Sequence, residues 1–197
     1  MINSDKIILD LCGGSGSWSK PYLDSGYTVI NVTLPEYDVR TYMPPENIYG
    51  ILAAPPCQHF SVMRTNKANT PRDLFSAFEI VKHCLRIIWF CTYDLGLKFW
   101  ALENPSTGML KRFLGYPAFI FNPYDFGDMS SKKTGLWGYF NIPIKKPILF
   151  TQEQKEYQNK NHIHKFPSAK EYPGIDRAGR RAITPPGLAR AFYEANK

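Results

Sequence analysis

The sequence has no apolar run long enough to cross a bilayer. Its longest, around residues 87–90, is far short of the ~20 residues a spanning helix needs. The opening Met-Ile-Asn-Ser-Asp-Lys lacks the charged-then-apolar pattern of a secretory leader. Cysteine is scarce: Cys12, Cys57, Cys84 and Cys91 are the four in 197 residues. They form no Cys-x-x-Cys pair and match no zinc-ligand spacing. Together these absences exclude a disulfide scaffold and a zinc module, and lead us to expect reduced thiols in a cytoplasmic protein without a membrane segment. There is no internal repeat and no low-complexity segment, which excludes solenoids and disordered tails. The His-x-His at 162–164 has no evident third ligand, so no metal is expected.

What is present is core-forming residue and positive charge. At 44% hydrophobic and 15% aromatic, the chain can bury a substantial core as a single domain over residues 1–197. Lys and Arg number 24 against 17 Asp and Glu, a formal net charge of +7. Such an excess fits a polyanionic partner, whose counterions are released on binding.

Residues 7–28 read as strand, glycine turn and helix. Residues 7–11 are short and apolar, as in a buried parallel strand. Gly13, Gly14 and Gly16 make a tight turn. Ser17 is placed to cap a helix that Gly26 stops, and residues 28–32 form the next strand. Residues 50–54 are a further buried strand, ended by Pro55-Pro56. A helix with Thr70 as N-cap and Pro71 as its first residue is expected to run to Gly96. Residues 98–105, "KFWALENP", are again a strand. This alternation predicts an α/β fold, Rossmann-like, with a mostly parallel sheet and helices on both faces. Beyond residue 116, short strands follow in "YPAFIFNPYDFG" and "TGLWGYFNIPI". Residues 141–180 read as a small polar insertion, and "TPPGLARAFYEAN" as a terminal helix.

In a parallel sheet, the strand ends carrying the glycine turn, Cys57 and Glu103 share one rim, where ligands of α/β folds bind. Each feature alone has an ordinary reading. A glycine turn can serve packing only, a cysteine is usually a small buried hydrophobe, and a carboxylate is usually solvated. Taken together, Asp10-Leu11-Cys12-Gly13-Gly14-Ser15-Gly16, then Pro55-Pro56-Cys57-Gln58-x-Phe60-Ser61, then Glu103-Asn104-Pro105 resemble the DNA cytosine-5 methyltransferase family. The similarity extends to "YDFGDMSSKKTGLW" at 124–137 and "ITPPGLARAF" at 183–192. It is strongest to compact, bacteriophage-type members that lack a large target recognition domain.

The resemblance implies the fold of S-adenosylmethionine-dependent methyltransferases and a chemistry that suits these residues. C5 of cytosine is a poor nucleophile until a thiolate adds at C6, and Cys57 would be that thiolate. Glu103 would relieve ring charge at N3, with Asn104 orienting the loop. The implied cofactor is S-adenosylmethionine, lined by Asp10, Cys12, Gly13, Gly14, Gly16, Ser17, Trp18, Pro55 and Thr184, with Asp38 toward the adenine. Pro56, Gln58 and Ser61 would flank the base, and Arg180 and Arg181 could contact phosphate or form a wet surface.

Two features depart from the family. Its acid at the end of the second strand is replaced by Asn31-Val32-Thr33, the nearest acid being Glu36. Its Gln-x-Arg-x-Arg motif is replaced by "SSKKTGLWG", which puts Lys132, Lys133 or Thr134 at the base or phosphate, or leaves them as a solvated turn. The insertion is too short for much base readout. The implied partner is therefore DNA, single- or double-stranded, with a protein partner supplying target recognition as one option. RNA, a free pyrimidine nucleotide, or a catalytically inactive nucleic-acid-binding module stand as alternatives.

Overall fold

The computed structural model describes residues 2–62, 71–94, 96–128, 132–149, 151–153, 173–175 and 177–197, with backbone only at 94, 177, 178 and 181. Six strands form one sheet: β1 (Ile7–Leu11), β2 (Thr28–Val32), β3 (Ile48–Ala53), β4 (Phe99–Pro105), β5 (Phe119–Phe121) and β6 (Thr134–Tyr139). Their order across the sheet is β2-β1-β3-β4-β6-β5. The helices are α1 (Lys20–Asp24), α2 (Leu74–Asp94), α3 (Lys111–Leu114), α4 (Arg177–Ala182) and α5 (Pro186–Ala195).

The first four strands pair in parallel, but β6 is antiparallel to both β4 and β5. The sheet is therefore mixed, where the sequence reading expected it mostly parallel. The reason lies in the connection. β5 ends and β6 begins at the same edge of the sheet, Phe121 facing Thr134. Among the described residues of the link only a one-turn 3₁₀ helix, Pro123–Phe126, lies between them, too short to carry the chain back along the sheet, and β6 reverses.

Both faces of the sheet are covered. On one, α2 buries Ala77, Val81, Cys84, Ile88 and Cys91, a stripe at helical spacing, against Leu9, Leu11, Ile51, Ala53 and Leu102. On the other, α1 and α5 bring Tyr22, Leu188 and Phe192 onto Ile8, Leu52, Phe99 and Leu136. Phe192 meets Trp18 edge-on with ring centroids 5.5 Å apart, and Tyr193 meets Tyr22 at 5.0 Å. Side chains alternate between the faces along each strand, so neighbouring residues of β1 belong to different cores.

Two helix starts differ from expectation. α1 begins at Lys20 rather than beside Ser17, because the Ser17 hydroxyl accepts a bond from Thr184 N at 2.9 Å instead of capping its own helix. α2 begins at Leu74, past Pro71, where Asp73 Oδ1 accepts from Ser76 N at 2.9 Å. Thr70 lies outside the described residues. Most of the 141–180 insertion, with both histidines of the His-x-His, lies outside them too. Among the described residues no helix is long and apolar enough to cross a membrane.

Candidate active site

The carboxyl ends of β1 to β4 lie along one edge of the sheet, and β1 and β3 are neighbours. The chain leaves β1 toward β2 on one side and returns to β3 on the other, which opens a crevice at this edge. Backbone bonds tie the strand ends together: Cys12 N to Val32 O at 2.8 Å and Ala54 N to Leu11 O at 2.9 Å.

After β3, Pro55 is buried and Pro56 exposed, and Cys57 is half-buried. The Cys57 carbonyl accepts from Phe60 N at 3.0 Å and Ser61 N at 2.8 Å, closing a compact turn with Gln58 exposed on it. Phe60 is fully buried and anchors the turn in the core. Five bonds from other segments hold it. Asn104 Nδ2 donates to Pro55 O at 3.0 Å. Met109 N donates to Phe60 O at 2.8 Å. Arg72 Nη1 reaches both His59 O and Ser61 O, at 2.7 and 2.8 Å. Asp73 N donates to His59 Nδ1 at 2.8 Å, so in neutral His59 the ring proton sits on Nε2. At Gly108 a Cβ would stand 3.0 Å from the carbonyl oxygens of both Phe60 and Pro105; that close approach favours glycine there.

On β4, Asn104 is fully buried and its Oδ1 has no partner. Glu103 is mostly covered and pairs with Lys132, Nζ to Oε1 being 3.4 Å. The 132–134 segment lies against the end of β4, since Pro105 faces Thr134 and Ser106 N donates to Lys133 O at 3.1 Å. Of the three candidates there, Lys132 faces Glu103 and Lys133 is exposed. Thr134 is buried, and its hydroxyl donates to Lys132 O at 2.7 Å.

The glycine turn has the other construction. Asp10 was expected to line a cofactor but is wholly buried beneath the turn, because its place on β1 points it toward α1. Its Oδ2 accepts from Ser19 Oγ at 2.6 Å, and burial pushes its carboxyl up to about 6. A Cβ on Gly13 would stand 2.4 Å from Asp10 Cγ; glycine is required. Cys12 and Gly14 both adopt positive φ, 57° and 54°. A hydrogen bond with Cys84 holds the Cys12 thiol below its ordinary range, while that contact and burial push Cys84 up. The structure brings Ser17 and Thr184 together, although 167 residues separate them. Trp18 is buried under Phe192. Gly16 stands above Asn31 and Ser19, its absent Cβ 3.6 Å from Asn31 Nδ2 and 3.8 Å from Ser19 Oγ.

Asp38 is tied to its neighbour Arg40, whose backbone N and Nε both donate at 2.9 Å. These bonds lower the carboxyl to about 2, so an adenine amino group would compete with Arg40. Arg180 donates to the Ile175 carbonyl, and the Arg181 side chain lies outside the described residues. Among the described residues no group of three His, Cys, Asp or Glu could hold a metal.

Sequence reasoning missed Arg72, His59, Met109 and Asn31 as supports. The acceptors of Arg72 are main-chain carbonyls 11 and 13 residues away, which leave no side-chain signature. The Asn31 amide donates to Gly14 O at 2.9 Å; its signal was visible as the amide standing where an acid was expected. Compared with known protein families and curated proteins, the chain matches none.

Proposed function

We propose that the protein transfers a methyl group to C5 of cytosine in DNA, with Cys57 transiently bonded to C6. The observation that supports this most is the bond from Asn104 Nδ2 to the Pro55 carbonyl at 3.0 Å. It couples the strand end bearing Glu103 to the turn bearing Cys57, the two groups this chemistry needs together. A turn fixed by prolines and by five outside bonds keeps the thiol near one attack geometry.

Cys57 adds to C6 as its thiolate, which breaks the aromaticity and makes C5 nucleophilic. Glu103 holds a proton at N3 and stabilises the charge that develops on the ring. Lys132, beside Glu103, adds positive charge on the same side. Once C5 carries its new substituent, loss of its proton to a base expels Cys57 and restores the ring.

The glycine turn fits a nucleoside-type cofactor such as S-adenosylmethionine. At Gly14 nothing lies within 4 Å of where a Cβ would stand, so a ligand can approach the backbone. Gly14, Gly16, Ser17 and Thr184 would hold the group, while Asp10 and Asn31 support the turn from below. When bound, it supplies an electrophilic methyl group. No acid ends β2, since Asn31 is engaged with Gly14 and Glu36 is exposed; the ribose hydroxyls then rely on neutral groups.

The net charge of +7 favours a polyanionic substrate. The deciding experiment offers 5-fluorocytosine in DNA, in RNA and as a free nucleotide, each with S-adenosylmethionine, and weighs the protein afterwards. A covalent adduct with DNA that Cys57→Ser abolishes is the expected result. An adduct only with RNA or the nucleotide reassigns the substrate, and none with any of the three overturns the thiol chemistry.

A further inference from the structure

Asp10 and Asn31 are direct neighbours across β1 and β2. Each has one oxygen, Asp10 Oδ1 and Asn31 Oδ1, that is buried and without a hydrogen-bond partner. Both oxygens lie within 2.6 Å of one point, the place a Cβ on Gly13 would occupy. Two acceptors without donors thus border one small space beside Gly13, an arrangement that ordinarily costs free energy.

Turning the Asn31 amide over does not resolve it either. Its Nδ2 would then serve Asp10, but its oxygen would face the Gly14 carbonyl, to which Nδ2 now donates at 2.9 Å. The amide sits between two acceptors and has one donor face. Whichever way the amide stands, one of the two acceptors it faces is left without its donor unless Asp10 carries a proton.

We propose that Asp10 is a proton-carrying positioning residue: protonated at Oδ1, it donates to Asn31 Oδ1, and this fixes the Asn31 amide so that it holds the Gly14 carbonyl. The chain then reads Ser19 Oγ–H to Asp10 Oδ2, Asp10 Oδ1–H to Asn31 Oδ1, and Asn31 Nδ2–H to Gly14 O, every oxygen having its donor. When Asp10 loses the proton, the Asn31 amide turns its Nδ2 to the carboxylate and releases Gly14. The glycine turn thereby has two states, selected by one proton. The upward pull of burial on this carboxyl, to about 6, works in the same direction. The groups facing Asp10 are Ser19 from the start of α1, Asn31 from β2 and Leu52 in register on β3, with the Cys12 thiol on its own turn the ionisable neighbour. This inference stands apart from the methyl-transfer reading and is tested on the protein alone.

The experiment is a carboxyl-carbon and side-chain-amide NMR titration of the wild-type protein between pH 4 and 8, with Asp10→Asn and Asp10→Ala beside it. The Asp10 carboxyl should titrate near pH 6, and the Asn31 amide resonances should move with the same midpoint. Asp10→Asn, whose amide is a permanent donor to Asn31 Oδ1, should fold and should hold the Asn31 resonances in the low-pH position throughout. Asp10→Ala should lose that position at every pH. If Asp10 is already ionised at pH 4, or if Asn31 ignores its titration, the proposal is overturned. The wild-type titration decides the matter even where a variant does not fold.

Discussion

The two turns at the rim of this sheet are held by different means. The turn carrying Cys57 is fixed from outside, through neutral backbone carbonyls that accept from Asn104, Met109 and Arg72. The glycine turn is fixed from beneath, by a buried carboxyl and an amide. Outside bonds to carbonyls do not titrate in the ordinary range, and a buried carboxyl does. The comparison teaches that the Cys57 turn is tied mainly through its main chain, with one bond to the His59 ring, while the glycine turn rests on two side chains, one of them a buried acid.

The strongest break in that comparison is chemical. Cys57→Ser should lower methyl transfer to DNA by roughly a thousandfold or more, as loss of a covalent nucleophile does, with the thermal unfolding midpoint unchanged. Retained turnover would remove the thiol from the mechanism. Next is Asn104→Ala, which strips the Pro55 carbonyl of its buried donor and should destabilise by about 2–3 kcal/mol in urea unfolding. Activity should fall further than stability, because the Cys57 turn loses its tie to Glu103.

Gly13→Ala tests the other turn. The added methyl meets the Asp10 carboxyl at 2.4 Å and should cost about 1–3 kcal/mol as overpacking. Its effect should fall on binding of S-adenosylmethionine, followed by calorimetry, and leave Cys57 reactivity toward an alkylating reagent intact. Equal losses in both would mean the two turns are one mechanical unit.

Acidity sharpens the contrast. The folded carboxyl of Asp10 lies near 6, above its ordinary 3.8. Its contribution to stability is thus fully present below pH 4 and is lost as pH rises through 6, amounting to about 3 kcal/mol. Denaturant unfolding at pH 4.5, 6 and 7.5 should show the fall in wild type and its absence in Asp10→Asn, after other carboxyls are allowed for by the difference. The smallest effect is expected from Arg72→Gln. It removes two contacts from a half-buried side chain, at about 1 kcal/mol, and should be seen chiefly as faster amide exchange at Phe60 and Ser61.

Much of the parallel half of the fold was legible in the chain. The strands at 7–11 and 50–54 stand out as short, largely apolar runs, as buried parallel strands are, the second being observed at Ile48–Ala53; the 28–32 strand followed from its place after the helix, and Gly26 marks a helix end by its positive φ of 84°. The helix starts were less legible. Ser17 has a good capping side chain, yet a distant backbone amide claims it. The surroundings of Asp10 were not legible either: an acid at a strand end reads as a ligand contact, and only the folded chain shows it buried with Ser19 bonded to it.

The residue pattern by itself determined that strands and helices alternate, that a glycine turn follows the first strand, and that Cys57 and Glu103 end two others, because local periodicity and turn chemistry act over a few residues. Tertiary structure alone decided that β6 reverses, that Asn104 holds the Cys57 turn, and that Asp10 and Asn31 stand side by side on β1 and β2, each with a buried unpartnered oxygen. Those outcomes depend on which chain ends meet in space, and main-chain carbonyls, the acceptors in most of these contacts, are the same in every residue.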